Sequence, residues 1–331
     1  MNCFVQINST NKAKNDIDTL MSQMGFKDLA VHGLGKGKIE VFFRKLFSAF
    51  NLLFTLNEGD ILLMQYPFKK FFDLYCIIAH WKKAETVTLI HDLGTFRRKK
   101  LSASKEIKRL NHSDHIIAHN GAMKEWLEQN GTKCPICCLD IFDYLSDTEP
   151  QVHEHHSPYT NIAYAGGLYA RKNSFLYDAG KALNGCKLNI YGRGDLDETR
   201  FNDNVVCHGR IASDQFIGTV NDDWGLVWDG DTVNSCGGTW GNYLRYNNPH
   251  KTSFYLRAGL PVIVWKQSAM APFITSNKLG IAVESLTEIP SIVSTMTESD
   301  YKTIKANVTE MKEKLQSGYF FKKAWEAATG K

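Results

Sequence analysis

Asn247-Asn248-Pro249-His250-Lys251-Thr252-Ser253-Phe254-Tyr255-Leu256-Arg257-Ala258-Gly259-Leu260-Pro261-Val262-Ile263-Val264-Trp265 reads as loop, helix, tight turn and buried strand. Pro249 breaks regular structure and suits a helix start. Gly259 suits a left-handed C-cap, and Pro261 prevents continuation. Val262-Ile263-Val264 is an apolar run fit for a parallel strand covered on both faces. His250, Lys251, Thr252 and Ser253 are left at the helix N-terminus, where free N–H groups and the helix dipole favour an anion. A lysine in that first turn opposes the dipole unless an anion is present, so the stretch reads as a diphosphate seat. An ordinary capped surface helix has the same local pattern, so the rest of the chain has to decide.

Upstream, the same strand-then-loop pattern repeats. Asn161–Ala165 is a strand ending in Gly166-Gly167-Leu168-Tyr169-Ala170-Arg171-Lys172. Gly166 and Gly167 let a ligand approach the backbone, and Arg171 and Lys172 offer charge-assisted contacts to phosphate. Lys187–Tyr191 ends in Gly192-Arg193-Gly194, and Val205-Val206-Cys207 ends in His208-Gly209-Arg210. Trp224–Trp228 ends in Asp229-Gly230-Asp231. The glycine-rich stretch Thr232–Tyr246 reads as a flexible loop, a candidate lid. Loops at the carboxyl ends of parallel strands face one crevice, so Arg171, Arg193, Lys251 and a helix N-terminus converge on a nucleotide diphosphate.

The first half also alternates strand and helix. Phe4–Ile7 is the first strand, Asn8–Asn11 a polar turn, and Lys12–Met24 a helix. The turn has no glycine fingerprint for a dinucleotide. Leu29–His32 reads as the second strand, followed by a loop with Gly33, Gly35 and Gly37 and a helix over Glu40–Leu53. Asp60–Pro67 and Thr86–Ile90 are buried strands. The second of these ends in His91-Asp92, two ionisable groups where such sheets do chemistry. The alternation predicts α/β architecture with a doubly wound sheet in each half. The expected domains are 1–150, 151–315 and a C-terminal helix over 316–331 that returns to the first domain.

A chain of 331 residues with 43% hydrophobic and 22% charged residues suits two soluble domains. No apolar run is long enough to span a membrane. The N-terminus lacks a signal pattern, so a cytoplasmic location is expected. Eight cysteines read as reduced, with Cys134, Cys137 and Cys138 a structural cluster. His153, His155 and His156 read as incidental surface residues. Basic residues crowd Arg97–Arg109, and aromatic residues interleave with Lys69, Lys70, Lys82 and Lys83 over Phe68–Trp81. That mixture suits an anionic membrane surface, at the inner face of the cell membrane, at least as well as a nucleic acid, and no nucleic-acid partner is expected.

Two doubly wound domains facing a crevice, with a diphosphate on the second and acid/base groups on the first, are what glycosyl transfer needs. Lysine and arginine stabilise the departing UDP, and a carboxylate or imidazole takes the acceptor proton. Asp229-Gly230-Asp231 has D-x-D spacing, but cationic side chains can replace a metal, so no metal and no cofactor beyond the UDP-sugar donor is expected.

Trp228–Leu244, Asn247–Ser253, Ile90-His91-Asp92 and Ile141-Phe142-Asp143-Tyr144-Leu145 resemble the bacterial β-1,6-galactofuranosyltransferases of O-antigen and capsule clusters, over nearly the whole chain. More distantly, they resemble the streptococcal glucosyltransferases that glycosylate serine-rich adhesins. The resemblance implies a GT-B fold, a UDP-sugar donor, a lipid-linked or soluble glycan acceptor and a homo-oligomer. It carries a UDP-contacting arginine onto Arg171, a phosphate-binding lysine onto Lys251 within the loop His250–Tyr255, and an N-terminal donor contact onto Ser9 or Thr10. Phe254 stands where retaining relatives of the fold often carry a glutamate. Transfer from UDP-α-galactofuranose to a β linkage inverts the anomeric centre, so one base suffices: Asp92, with His91 as the competitor. UDP-glucose or UDP-galactopyranose as donor, and a non-catalytic GT-B-like partner subunit, remain open readings.

Overall fold

The computed structural model describes all residues except 7–8, 34–36, 69, 98–100 and 331. Ile7 and Asn8 of the first strand and turn, Gly35 of the glycine loop, and Lys69, Arg98, Lys99 and Lys100 of the basic segments therefore lie outside the described residues. The chain forms two compact units. Residues 1–140 with 320–331 make the first, and residues 141–319 make the second. The division falls ten residues before the expected 150.

In the first unit the strands are β1 (Asn2–Phe4), β2 (Lys27–Asp28), β3 (Ile61–Tyr66), β4 (Glu85–Ile90), β5 (His115–Ala118) and β6 (Ile136–Cys138). They form a parallel sheet in the order β2-β1-β3-β4-β5-β6. β1 begins two residues earlier than expected and ends at Phe4, and β2 precedes the expected Leu29–His32. Strands this short carry little hydrophobic signal of their own. β3 is buried at every position and β4 at all but its first, as a sheet covered on both faces requires. The Tyr319–Thr329 helix belongs to this unit: Trp325 packs edge-on against Phe26 at 4.7 Å, and Cys137 Sγ donates to the Ala324 carbonyl at 3.4 Å.

In the second unit the strands are β7 (Asn161–Ala165), β8 (Lys187–Tyr191), β9 (Val205–Cys207), β10 (Trp224–Val227), β11 (Val262–Trp265) and β12 (Gly280–Val283). Their parallel order is β12-β11-β10-β7-β8-β9. Both sheets reverse direction of winding beside their central strand, so ligand-facing loops collect at the carboxyl ends there. The stretch expected as a flexible lid contains a helix, Gly238–Tyr243, and is anchored by buried Cys236 and Leu244.

Most of the aromatic residues expected over Phe68–Trp81 as a membrane face do not reach the surface. Phe68, Phe72 and Tyr75 are buried in the first unit's core, and only Trp81 of that set is exposed. The Phe72–Trp81 helix buries its Tyr75 side against β4, a direction that an all-aromatic pattern does not reveal. All eight cysteines are free, and burial raises the thiols of Cys134, Cys137 and Cys138.

Candidate active site

The second unit brings the ends of β7 and β10 and the first turn of the His250–Arg257 helix together around two lysines. Gly166 follows β7 with φ of +136°, a value that favours glycine. A Cβ there would lie 3.2 Å from Lys251 Cε, so the glycine is what admits the lysine. The His250–Arg257 helix starts directly after Pro249 with no side-chain cap. Its register sends Lys251 inward, over the face of the Tyr164 ring at 3.7 Å. The side chain as a whole is 16% exposed, but its Nζ is closed from solvent and makes no hydrogen bond among the described residues. Burial pulls its ammonium down to about 7; nearby Lys172 adds to that and Asp229 opposes it. An ammonium held this way is unsatisfied until an anion arrives.

Asp229, at the end of β10, is the counter-charge. Its Oδ1 lies 3.7 Å from Lys251 Nζ and its Oδ2 3.3 Å from Lys172 Nζ. Asn173 and Tyr164 both donate toward Oδ1, at 3.3 and 3.4 Å. Asn173 also donates to the Tyr164 hydroxyl at 2.5 Å. One carboxylate thus serves two lysines. Among the described residues no group of three or more His, Cys, Asp or Glu is arranged to hold a metal.

The neighbouring loops are zipped together. Gly166 N–H donates to Tyr191 O at 3.0 Å, Leu168 N–H to Arg193 O at 3.1 Å, and Asp195 N–H to Leu168 O at 2.8 Å. Gly194 approaches Leu168 so closely that a Cβ would sit 1.6 Å from its carbonyl oxygen. Gly225 in β10 leaves room for the Tyr255 ring, and the Tyr255 hydroxyl accepts from Ala165 N–H at 2.7 Å.

The residues read from sequence as donor contacts divide. Gly166 and Lys251 meet. Arg171 is exposed, its guanidinium 5.8 Å from the Trp240 ring, as is Lys172 Nζ. Gly167 lies against the Tyr169 ring. Arg193 lines a separate cavity of about 480 Å³ with Gly194, Glu198, Cys207, His208 and Gly209. His208 stacks on Tyr191 at 4.7 Å and shares a hydrogen bond with Asn189 at 3.0 Å. His250 stacks on Tyr144 at 4.8 Å. Thr252 is buried, and Ser253 Oγ donates to Phe142 O at 2.6 Å. Those two face the fold's interior, because helix periodicity turns them away from Lys251.

In the first unit, Thr10 is an exposed residue just before Asn11, the N-cap of the Lys12–Gln23 helix. His91 and Asp92 follow β4. His91 Nε2 lies 2.6 Å from Gln65 Oε1. The Gln65 amide donates to Lys14 O at 3.2 Å and Asp18 Oδ1 at 2.6 Å. A backbone carbonyl can only accept, so the Gln65 oxygen faces His91 and Nε2 carries the imidazole proton. Burial, reinforced by Asp28, pushes Asp18 up to about 7. Asp92 Oδ2 pairs with the Arg97 guanidinium. Buried Glu106 clamps the turn beyond: it accepts from Gly94 N–H at 2.7 Å, Thr95 N–H at 2.8 Å and Tyr66 Oη at 2.8 Å.

Sequence reading passed over Gln65, Asp18, Glu106, Tyr164 and Asn173. All are interior, and only the hydrogen-bond geometry reveals them. The position of Asp229 at a strand end was a signal, but sequence reading weighed its D-x-D spacing only against a metal and gave Asp229 itself no role.

Two parallel doubly wound units with these strand-end loops define a glycosyltransferase of the GT-B fold. The apo form of the lipopolysaccharide outer core galactosyltransferase WaaB shares the fold, with a TM-score of 0.60 over 98% of each chain at 13% identity. The chain belongs to the Glucosyltransferase 3-like family: the family's N-terminal domain matches residues 3–141 and its C-terminal domain residues 162–328. It is 33% identical to the β-1,6-galactofuranosyltransferase WbbI of Escherichia coli (strain K12) over 272 residues, 82% of this chain and 79% of that one. It is 25% identical to Glucosyltransferase 3 of Streptococcus gordonii over 320 residues, 94% of this chain and 91% of that one.

Proposed function

We propose that the enzyme transfers galactofuranose from UDP-galactofuranose to a glucoside, lipid-linked or soluble, forming a β-1,6 linkage in surface polysaccharide synthesis. The observation that carries the reading is the buried Lys251 ammonium beside Gly166, lacking a hydrogen-bond partner among the described residues. The relative at 33% identity is named a β-1,6-galactofuranosyltransferase. The diphosphate would take Lys251, with Arg171 and Lys172 as further cationic contacts. The cavity at Arg193 and His208 suits the nucleoside base. The acceptor oxygen attacks C1 of the sugar, the C1–O bond to the diphosphate breaks, and UDP leaves with the bonding electrons. Asp92 takes the acceptor proton, with His91 as the competing base. No metal enters this scheme, since Lys251 offsets the leaving-group charge.

A UDP-glucose donor is the second reading, because the relative that spans 94% of this chain is named a glucosyltransferase. A donor panel with an alkyl glucoside acceptor, read as UDP release, separates the two. Acceptor-dependent release from UDP-galactofuranose alone supports the first. Release from a pyranose donor replaces it with the second. UDP binding without release from any donor points to a non-catalytic partner subunit.

A further inference from the structure

The Lys38–Thr55 helix carries Ile39, Phe43, Phe47, Phe50 and Phe54 at 44–85% exposure. Their spacing of four, four, three and four places all five within an arc of about 80° on one face. Phe43 and Phe47 stack at 5.9 Å along that face. The Phe72–Trp81 helix packs beside it, with Tyr75 Oη donating to Lys45 O at 2.7 Å and Phe42 against Phe71 at 5.1 Å. It adds exposed Ile77 and Trp81, one turn apart. The first unit is electropositive, with 23 Lys and Arg against 15 Asp and Glu, whereas the second has 16 against 20. No helix among the described residues is long and apolar enough to cross a membrane.

We propose that this face of the Lys38–Thr55 helix, with Ile77 and Trp81, seats the first unit on the surface of an anionic lipid bilayer. An amphipathic helix whose apolar stripe is aromatic and whose carrier is cationic binds there by burying the stripe below the headgroups while the charge is drawn to anionic lipid. A second copy of the chain fits less well. Two copies of a unit with 23 Lys and Arg against 15 Asp and Glu would repel each other across it. The inference does not depend on which sugar is transferred.

Co-sedimentation of the full-length chain with phosphatidylcholine vesicles, and with vesicles one-third phosphatidylglycerol, tests this. Binding to the anionic vesicles, weakened by added salt, is expected. Phe47→Glu with Phe54→Glu changes only exposed positions and should lower vesicle affinity at least tenfold while leaving the melting temperature and UDP binding unchanged. Absence of wild-type binding to anionic vesicles, or equal binding by the double variant, overturns the proposal. A wild-type dimer in sedimentation that the double variant converts to monomer also overturns it, assigning the face to a second copy.

Discussion

Asp229 Oδ1 lies 3.7 Å from Lys251 Nζ, too far for a hydrogen bond, while the opposite oxygen of the same carboxylate reaches Lys172. The lysine is paired in charge but not in hydrogen bonding, and that leaves it available to a diphosphate. Lys251→Ala is expected to lower kcat about a hundred- to a thousandfold, since one transition-state donor is worth roughly 3 kcal/mol. Steady-state turnover of the purified variant decides it; near-normal kcat would remove the lysine from the leaving-group role.

The same burial predicts proton uptake on binding. Lys251 sits at about 7 in the folded chain against an ordinary 10.5. Between those values the unfolded chain holds a proton that the folded chain has released, so this group's contribution to stability grows as pH rises through that window and falls as pH drops toward 7. A bound diphosphate favours the ammonium and reverses the release. UDP binding at pH 8 should take up close to one proton, measured by calorimetry in buffers of different ionisation enthalpy. Heats that do not vary with the buffer would contradict it.

Gln65 assigns the proton of His91 to Nε2, leaving Nδ1 as the basic nitrogen of the neutral ring. Nitrogen NMR of the imidazole should show that tautomer in the wild type and a mixture in Gln65→Leu. Asp92→Asn tests the other candidate base: if Asp92 takes the acceptor proton, the variant loses about 10²- to 10⁴-fold in kcat with UDP affinity retained. Loss of UDP affinity instead would make Asp92 structural.

Asp18 titrates in the opposite sense to Lys251. Burial lifts it to about 7 from an ordinary 3.8. The folded chain holds a proton that the unfolded chain releases across that interval, so this group's contribution to stability declines as pH rises through it. Asp18→Asn keeps an acceptor for Gln65 and removes the titration. The variant should gain melting temperature over wild type at pH 8 and less at pH 5; an equal shift at both would refute the burial argument.

Gly194→Ala places a methyl 1.6 Å from Leu168 O, against backbone that has no slack. A loss of roughly 1–3 kcal/mol in unfolding free energy is expected, seen as a lower denaturation midpoint. Because the β7 and β8 loops are bonded to each other, UDP affinity should fall with it. A variant as stable as wild type would show that this close approach is not maintained in solution.

The sequence by itself determined the two-unit α/β plan. Runs such as Val262–Val264 and Leu62–Met64 are apolar on both faces, and only a sheet covered on both sides accommodates them. It also determined which strand ends carry charge, since glycine, lysine and proline mark Gly166, Lys251 and Pro249 by local rules. Tertiary structure decided what lies between those markers. Helix register turned Lys251 toward Tyr164 and Asp229 while sending Thr252 and Ser253 into the interior. The packing of two helices decided that Phe68, Phe72 and Tyr75 are core while Phe43, Phe47, Phe50 and Phe54 face solvent. Hydrophobic periodicity tells that an aromatic residue is on a face, and only the neighbouring element tells whether that face is covered.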